Sequence, residues 1–259
     1  VMNEWAYIAV TFIVAFGGWL VRSLSVSGAV AAFFIGLFIS LGFESKGLIM
    51  LGAFFVSSSL WSKFQKHKKI AVFEKVEKGD ERDYVQVLAN GSVPALISLI
   101  DFFSPSALWL ELFIVSLAAA NSDTWASEIG SVSKQPPRLI TTWKTVERGT
   151  SGGVTLLGTV AAIGGALFVG IVSFVLWHNI HLVFAGLFGF FGSMIDTWMG
   201  AVCQVNYRCA VCGLETEKRH HCGQGTIRIK GWHFMNNDIV NWLSILSATM
   251  LYFFVTKLQ

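Results

Sequence analysis

Two copies of an Asp-Thr-Trp triplet, in "NSDTWASEIG" (121–130) and "GSMIDTWMGAVCQ" (192–204), put Asp123 and Asp196 inside apolar runs, with Glu128 shortly after the first. An acidic side chain within a membrane span costs about 2.5–3.5 kcal/mol even on the lenient insertion scale, so it is kept facing a cavity, an ion or a partner. A third carboxylate, Asp238, stands in "NNDIVN" with Asn237 and Asn241, and steps of three and four place all of them on one side of a helix. Hard carboxylate oxygens at one level suit Mg²⁺ or Mn²⁺, and Mg²⁺ takes one or two carboxylates together with substrate phosphates. The plainer alternatives are that Asp123 and Asp196 clamp helices or pair with Arg82 or Arg148, and that Asp238 is an N-cap. A cap leaves Asn241 unexplained.

A second chemistry-bearing stretch is "KTVERGTSGGVTLLGT" (144–159). Gly149, Thr150, Ser151, Gly152 and Gly153 would let backbone N–H groups approach a phosphate at a helix N-terminus, with Lys144 and Arg148 adding charge. The pattern is not a Walker A loop. Ordinary turn chemistry, with Gly158 as a close-packing position, is the alternative. Arg82, Gln86 and Asn90, at steps of four, form a polar stripe that could guide an anionic headgroup, and Asn121 and Gln204 add amides on the acceptor side. Finally, "CAVCGLETEKRHHC" carries Cys209, Cys212, His220, His221 and Cys222. That is zinc-ligand spacing; four of the five close a tetrahedral structural site, and free or redox thiols are the alternative.

These residues need elements to hold them. The chain has 259 residues, 54% of them hydrophobic and 14% charged, with a mean hydropathy of +0.60. Such a balance belongs to an integral membrane protein. Eight apolar segments fall at about 5–21, 25–43, 47–61, 84–103, 108–131, 154–177, 182–205 and 239–255, the third short enough to be re-entrant. They lack the alternation of a barrel, so the expectation is a single all-α polytopic domain over 1–259. No cleavable signal peptide is evident, and the first run reads as a span.

Every Lys and Arg except Lys46 and Lys257 falls in the loops after the first, third, fifth and seventh segments. The positive-inside rule then puts these loops in the cytoplasm, both termini outside, and the protein in the cell membrane. The cytoplasmic pieces are a basic loop at 62–83 with an interfacial amphipathic helix, the Gly-rich loop at 133–153 and the Cys/His loop at 206–235. Because the basic residues sit where topology needs them, the net charge of +3 is no argument for nucleic-acid binding. Asn90, Asn121, Asp123, Glu128, Asp196, Gln204, Asn237, Asp238 and Asn241 all fall at the cytoplasmic level of four spans.

Through "QVLANG", "NSDTWASEIG", "RGTSGGVTLLGT", "GSMIDTWMGAVCQ" and "NNDIVN", the chain resembles, over almost its whole length, the transmembrane protein 19 family, which includes the plant phytyl-phosphate kinase of vitamin E synthesis. The resemblance implies transfer of a nucleotide's terminal phosphoryl group, from CTP or ATP, to a prenyl or phytyl monophosphate lipid. On the physical reading of the residues, Asp123, Asp196 and Asp238 would hold Mg²⁺, Arg148 and residues 150–153 would neutralise the transferring group, Arg82 and Asn90 would hold the acceptor phosphate, and Glu128 would position a metal-bound water. The rival class is an ion-coupled transporter of a small or lipid-linked anion, with the two triplets marking structural repeats.

Overall fold

A computed structural model describes residues 3–258 apart from 66, 68, 69 and 80, so Lys66, Lys68 and Lys69 of the basic loop lie outside the described residues. The long elements are helices: α1 (Glu4–Leu20), α2 (Val26–Lys63), α4 (Tyr84–Phe103), α5 (Ala107–Gly130), α6 (Leu156–Trp177), α7 (His181–Phe188), α8 (Phe190–Val202) and α9 (Asn237–Lys257), with a six-residue α3 (Ile70–Lys75) in the basic loop. The protein is an all-α integral membrane protein. Among the described residues five helical stretches are long and apolar enough to cross a membrane by themselves: α2, α4, α6, α7 with α8, and α9.

The apolar segments read from the sequence are largely helical; α2 contains two of them, and the seventh is divided between α7 and α8. Glu44, with φ 50 and ψ −142, breaks α2. The chain doubles back there, so that Leu48 packs towards Gly36 and Phe55 towards Gly18. The returning half ends with Lys63 Nζ donating to Val21 O at 2.6 Å. It therefore runs back along the first hairpin to the end where α1 stops. Capping chemistry starts the helices: Asn3, Ser25, Ser106, Thr155 and Asn236 each accept a backbone N–H of the first turn, and Asp83 with Gln86 forms a capping box on α4.

The α5 helix is the axis of the bundle. Every residue from Leu112 to Ser122 is buried, and the helix packs against α2, α4, α6, α7, α8 and α9. Small residues permit this. A Cβ at Gly189 would lie 2.4 Å from Ala118 Cβ, one at Gly192 2.5 Å from Ala119 Cβ, and one at Gly165 3.1 Å from Asn121 O.

The loops after α1, α2, α5 and α8 gather at one end of the bundle. Leu24 bridges Arg82, Lys75 pairs with Glu147, and Ser151 donates to Glu217. At the other end Lys46 lies over the Trp177 ring. The gathered loops are built from short strands: β1 (Arg138–Leu139) with β2 (Gly153–Val154), β3 (Asn206–Arg208) between β4 (Glu215–Thr216) and β7 (Ile227–Lys230), and the hairpin β5 (His220–His221) with β6 (Gln224–Gly225). The expected interfacial amphipathic helix is reduced to α3, whose last carbonyl, Lys75 O, accepts from Thr216 Oγ1 and from Glu217 N–H, both at 2.7 Å.

Candidate active site

The contacts at Gly189 and Gly192 fix how the two acidic triplets meet. Positions advancing along α5, Ala118 then Ala119, touch positions advancing from the α7–α8 junction into α8, Gly189 then Gly192. The helices thus run in the same direction. One turn beyond Ala119 and Gly192 stand Asp123 and Asp196. Both line a cavity of ≈ 210 Å³ between α5, α6, α8 and the gathered loops. Asp196 is buried and accepts from Ser244 Oγ of α9 at 3.2 Å. With its amide turned to satisfy both ends, Asn241 also donates to Asp196 Oδ2, at 2.8 Å. Ser193, fully buried without a well-formed hydrogen bond, lies on the cavity wall beside Asp123. Neither Asp123 nor Asp196 forms a salt bridge among the described residues, so pairing with Arg82 or Arg148 does not account for them.

The Gly-rich loop forms the cavity's mouth, with Arg148 and residues 149–153 on its lining. Gly149 and Gly152 have φ of +78° and +86°, and a Cβ at Gly152 would lie 2.4 Å from Ala201 Cβ, so glycine is required where the loop presses on α8. The loop does not open directly into a helix N-terminus. Gly153 and Val154 form strand β2, and Thr155 caps α6 by accepting from Gly158 N–H at 3.0 Å. The Thr150 and Gly153 amides are engaged within the loop, donating to Glu147 O and Thr150 O. Lys144 is exposed on the preceding turn, away from the cavity lining, while its carbonyl accepts from Leu139 N–H.

Glu217 is the cavity residue that the sequence reading missed. It reaches in from the Cys/His loop, and its Oε1 accepts from Gln204 Nε2 at 2.7 Å and Ser151 Oγ at 3.1 Å. Burial raises its pKa against the pull of these donors. Its position among charged neighbours in "LETEKRHH" gives no periodic signal. Only the fold-back of the loop exposes its role.

Other candidate residues are distributed around this centre. Asp238 does not join Asp123 and Asp196: it is buried against Lys78 Nζ, which also pairs with Asp83 at 2.9 Å. Nor is it the cap, since Asn236 takes that position. Asp238 lines an adjoining cavity of ≈ 200 Å³ with Lys78, Glu128, Glu217 and Asn237; Asn237 and Glu217 line both spaces. Glu128 accepts from Ser62 Oγ at 2.7 Å, tying α5 to α2. Asn121 is a helix clamp: fully buried, it accepts from Ser57 and Ser58 of α2 and donates to Gly165 O of α6. The two triplet tryptophans also diverge. Trp125 stacks on Phe168 with centroids 5.4 Å apart, whereas Trp198 is exposed.

Arg82, Gln86 and Asn90 line a separate cavity of ≈ 120 Å³, otherwise largely apolar, between α1, α2 and α4, with Thr124 of α5 on its wall. Gln86 is occupied by the capping box, and Asn90 donates to Gln86 O at 3.0 Å. Arg82 is the charge left facing the space: Nη1 donates to Ser59 Oγ at 3.2 Å, and burial lowers its pKa against the attraction of Glu128.

Residues 9–249 match the family described as integral membrane protein DUF92. The chain belongs to the DUF92 family. Similar proteins include the uncharacterized membrane protein MJ0933 of Methanocaldococcus jannaschii, 36% identical over 70% of this chain and 75% of its own length. Protein PGR of Arabidopsis thaliana is 29% identical over 94% of this chain and 93% of its length. The chloroplastic protein VTE6 of the same plant is 29% identical over 87% of this chain and 63% of its length. No solved structure matches significantly.

In this DUF92 chain the Cys/His loop assembles one ligand set. The donor atoms of Cys209, Cys212, His221 and Cys222 all lie within 4.8 Å of one another, and among the described residues no other group of three or more His, Cys, Asp or Glu is so gathered. His221 Nδ1 lies 3.5 Å from Cys212 Sγ and 3.3 Å from Cys222 Sγ. His221 is the histidine gathered with the three thiols, while His220 lies outside the group and is exposed. The backbone N–H groups of Cys212 and Val211, with His221, draw the Cys209 thiol down to about 6.

Proposed function

We propose that the chain is a membrane-embedded phosphotransferase that moves the terminal phosphoryl group of CTP or ATP onto a prenyl or phytyl monophosphate, with its site facing the cytoplasm. The observation that carries this reading is the meeting, in one cavity, of Asp123 and Asp196 with the arginine-flanked Gly-rich loop. Two carboxylates with no salt-bridge partner among the described residues, lining one cavity with the Ser193 hydroxyl beside Asp123, fit a hard divalent ion. Asp123 and Asp196 would hold Mg²⁺ or Mn²⁺, which when bound would supply charge neutralisation at the reacting phosphates.

The chain's own residues supply positioning. Arg148 and the glycines at 149 and 152 receive the nucleotide phosphates at the cavity mouth, while Gln204 and Glu217 fix Ser151. Arg82 attracts the anionic headgroup of the acceptor to the apolar cavity between α1, α2 and α4, which takes the start of its hydrocarbon tail, and the headgroup passes from there, by Thr124, to the Asp123–Asp196 cavity for transfer. In the transfer, an oxygen of the acceptor monophosphate forms a bond to the terminal phosphorus as the bond to the departing nucleoside diphosphate breaks. The acceptor is already ionised, so no strong base is needed. The resemblance to a family that includes a plant phytyl-phosphate kinase supports the same substrate class. The basic loops at the site's end support a cytoplasmic orientation. An inverted-repeat carrier is a poorer fit, because the two triplets lie on helices that run the same way.

The deciding experiment incubates purified protein in detergent with Mg²⁺, labelled CTP or ATP, and a panel of prenyl and phytyl monophosphates. A labelled lipid diphosphate is expected. Its absence with every acceptor, together with proton- or sodium-coupled flux in liposomes, would overturn the reading.

A further inference from the structure

The Cys/His loop has little with which to hold itself together. Its strands are two to four residues long, and among the described residues its buried side chains are Asn206, Tyr207, Cys209, Thr216 and Met235, too few to form a core. Strands of that length without a core are not stable alone. Yet the loop is folded tightly enough to place four ligand atoms together. Cys209 O accepts from Gly213 N–H at 2.9 Å in a knuckle, and Cys222 and Gly223, with φ of 51° and 76°, make the two-residue turn between β5 and β6. Three thiols and an imidazole select a borderline-soft ion; around zinc their donor atoms would stand roughly 3.5–4 Å apart, within the spread present here.

Cys212 precedes Glu217 by five residues and His221 follows it by four. Both flanks of Glu217 are thus anchored in the same ligand set, while the residue itself is docked through its N–H on Lys75 O and through its carboxylate on Ser151 and Gln204. We propose that Cys209, Cys212, His221 and Cys222 bind a structural zinc ion, and that this ion holds Glu217 in the phosphate cavity as a positioning residue for the Gly-rich loop. The loop would then be a strap whose buckle is the metal and whose tongue is Glu217. Closing the Cys212–His221 segment removes the entropy that would otherwise withdraw the carboxylate. The consequence for catalysis rests on the phosphotransferase reading; the metal site and its mechanical coupling do not.

The test uses the full chain in detergent. Elemental analysis should find about one zinc per chain, lost in Cys212→Ser and His221→Ala but kept in His220→Ala. Stripping zinc from the wild type with a chelator should raise amide exchange by about tenfold or more over residues 149–153 as well as 206–225, and zinc re-addition should reverse it. Glu217→Ala, with its zinc intact, should raise exchange over 149–153. Wild-type protein without stoichiometric zinc overturns the site. Zinc-dependent exchange confined to 206–225, or a Glu217→Ala protein with unchanged exchange over 149–153, overturns the coupling. Neither measurement needs turnover, so a failure of the phosphotransfer assay is separately visible.

Discussion

Ala119 of α5 and Gly192 of α8 touch so closely that a Cβ at Gly192 would lie 2.5 Å from that of Ala119. Since Asp123 and Asp196 stand one turn further on, this contact sets the spacing of the carboxylates. Gly192→Val should push the helices apart, lowering phosphotransfer by roughly tenfold or more and costing about 1–3 kcal/mol of stability. Gly17→Ala, whose Cβ would meet nothing within 4 Å, should change neither. Thermal melts in detergent beside initial rates check this, and full activity in Gly192→Val would remove the spacing role.

Asp123→Asn and Asp196→Asn should each lower the rate by about 10²-fold or more while leaving folded protein, because the carboxylates act on charge at the reacting phosphates. Ser244→Ala, which strips one donor from Asp196, should fall between these and wild type. Rates titrated against Mg²⁺ are the measurement. Wild-type turnover in either Asn variant removes that residue from the site.

Lys78 joins Asp238 and Asp83, linking the basic loop to the starts of α9 and α4. Burial pulls its pKa down, but the hydrogen bonds and charges of Asp238 and Asp83 more than offset this and hold it above the ordinary 10.5. With the folded value raised, the stabilisation is complete below the unfolded lysine value and is lost as pH climbs through the folded one. Lys78→Met leaves Asp238 unpaired and should destabilise by up to about 3–5 kcal/mol, less in proportion to the partial exposure of the pair. Melts of both proteins should differ at neutral pH and converge only above about pH 10.5. A gap that stays constant through that range would refute the assignment.

Arg82→Met should raise the KM for the lipid acceptor with little change in that for the nucleotide. Gly52 lines the same apolar cavity and its Cβ would meet nothing within 4 Å, so Gly52→Leu should fill the space without moving the backbone. It should impair long-chain acceptors more than short ones. Equal effects on nucleotide and lipid KM would argue against an acceptor site there.

The carboxylates, the glycines and the Cys/His spacing were legible in the sequence because each violates the expectation of its surroundings: acid in apolar helix, flexibility in a basic loop, thiols in a polar one. Asn121 was legible only as a polar residue at depth; that it clamps α2 to α6 depends on glycine at 165, a position that carries no sign of its partner. The Lys144 charge and the 150–153 amides pointed to a helix-start phosphate site, but Thr155 already caps that helix and strand pairing consumes the intervening residues. Glu217 and Lys78 were hidden in runs of mixed charge. Their partners lie far away in the chain, so neither pattern nor propensity registers them.

The enclosed position of α5 bears on how the protein is made. With Glu111, Asp123 and Glu128 in one helix, α5 is not among the stretches apolar enough to enter a bilayer unaided. Its acids become tolerable only once α6 lies along it, with Gly158 and Gly165 against its backbone, and α8 has closed the cavity. Stable seating of α5 in the bilayer is thus expected to depend on α6 and α8, both of which follow it in the chain.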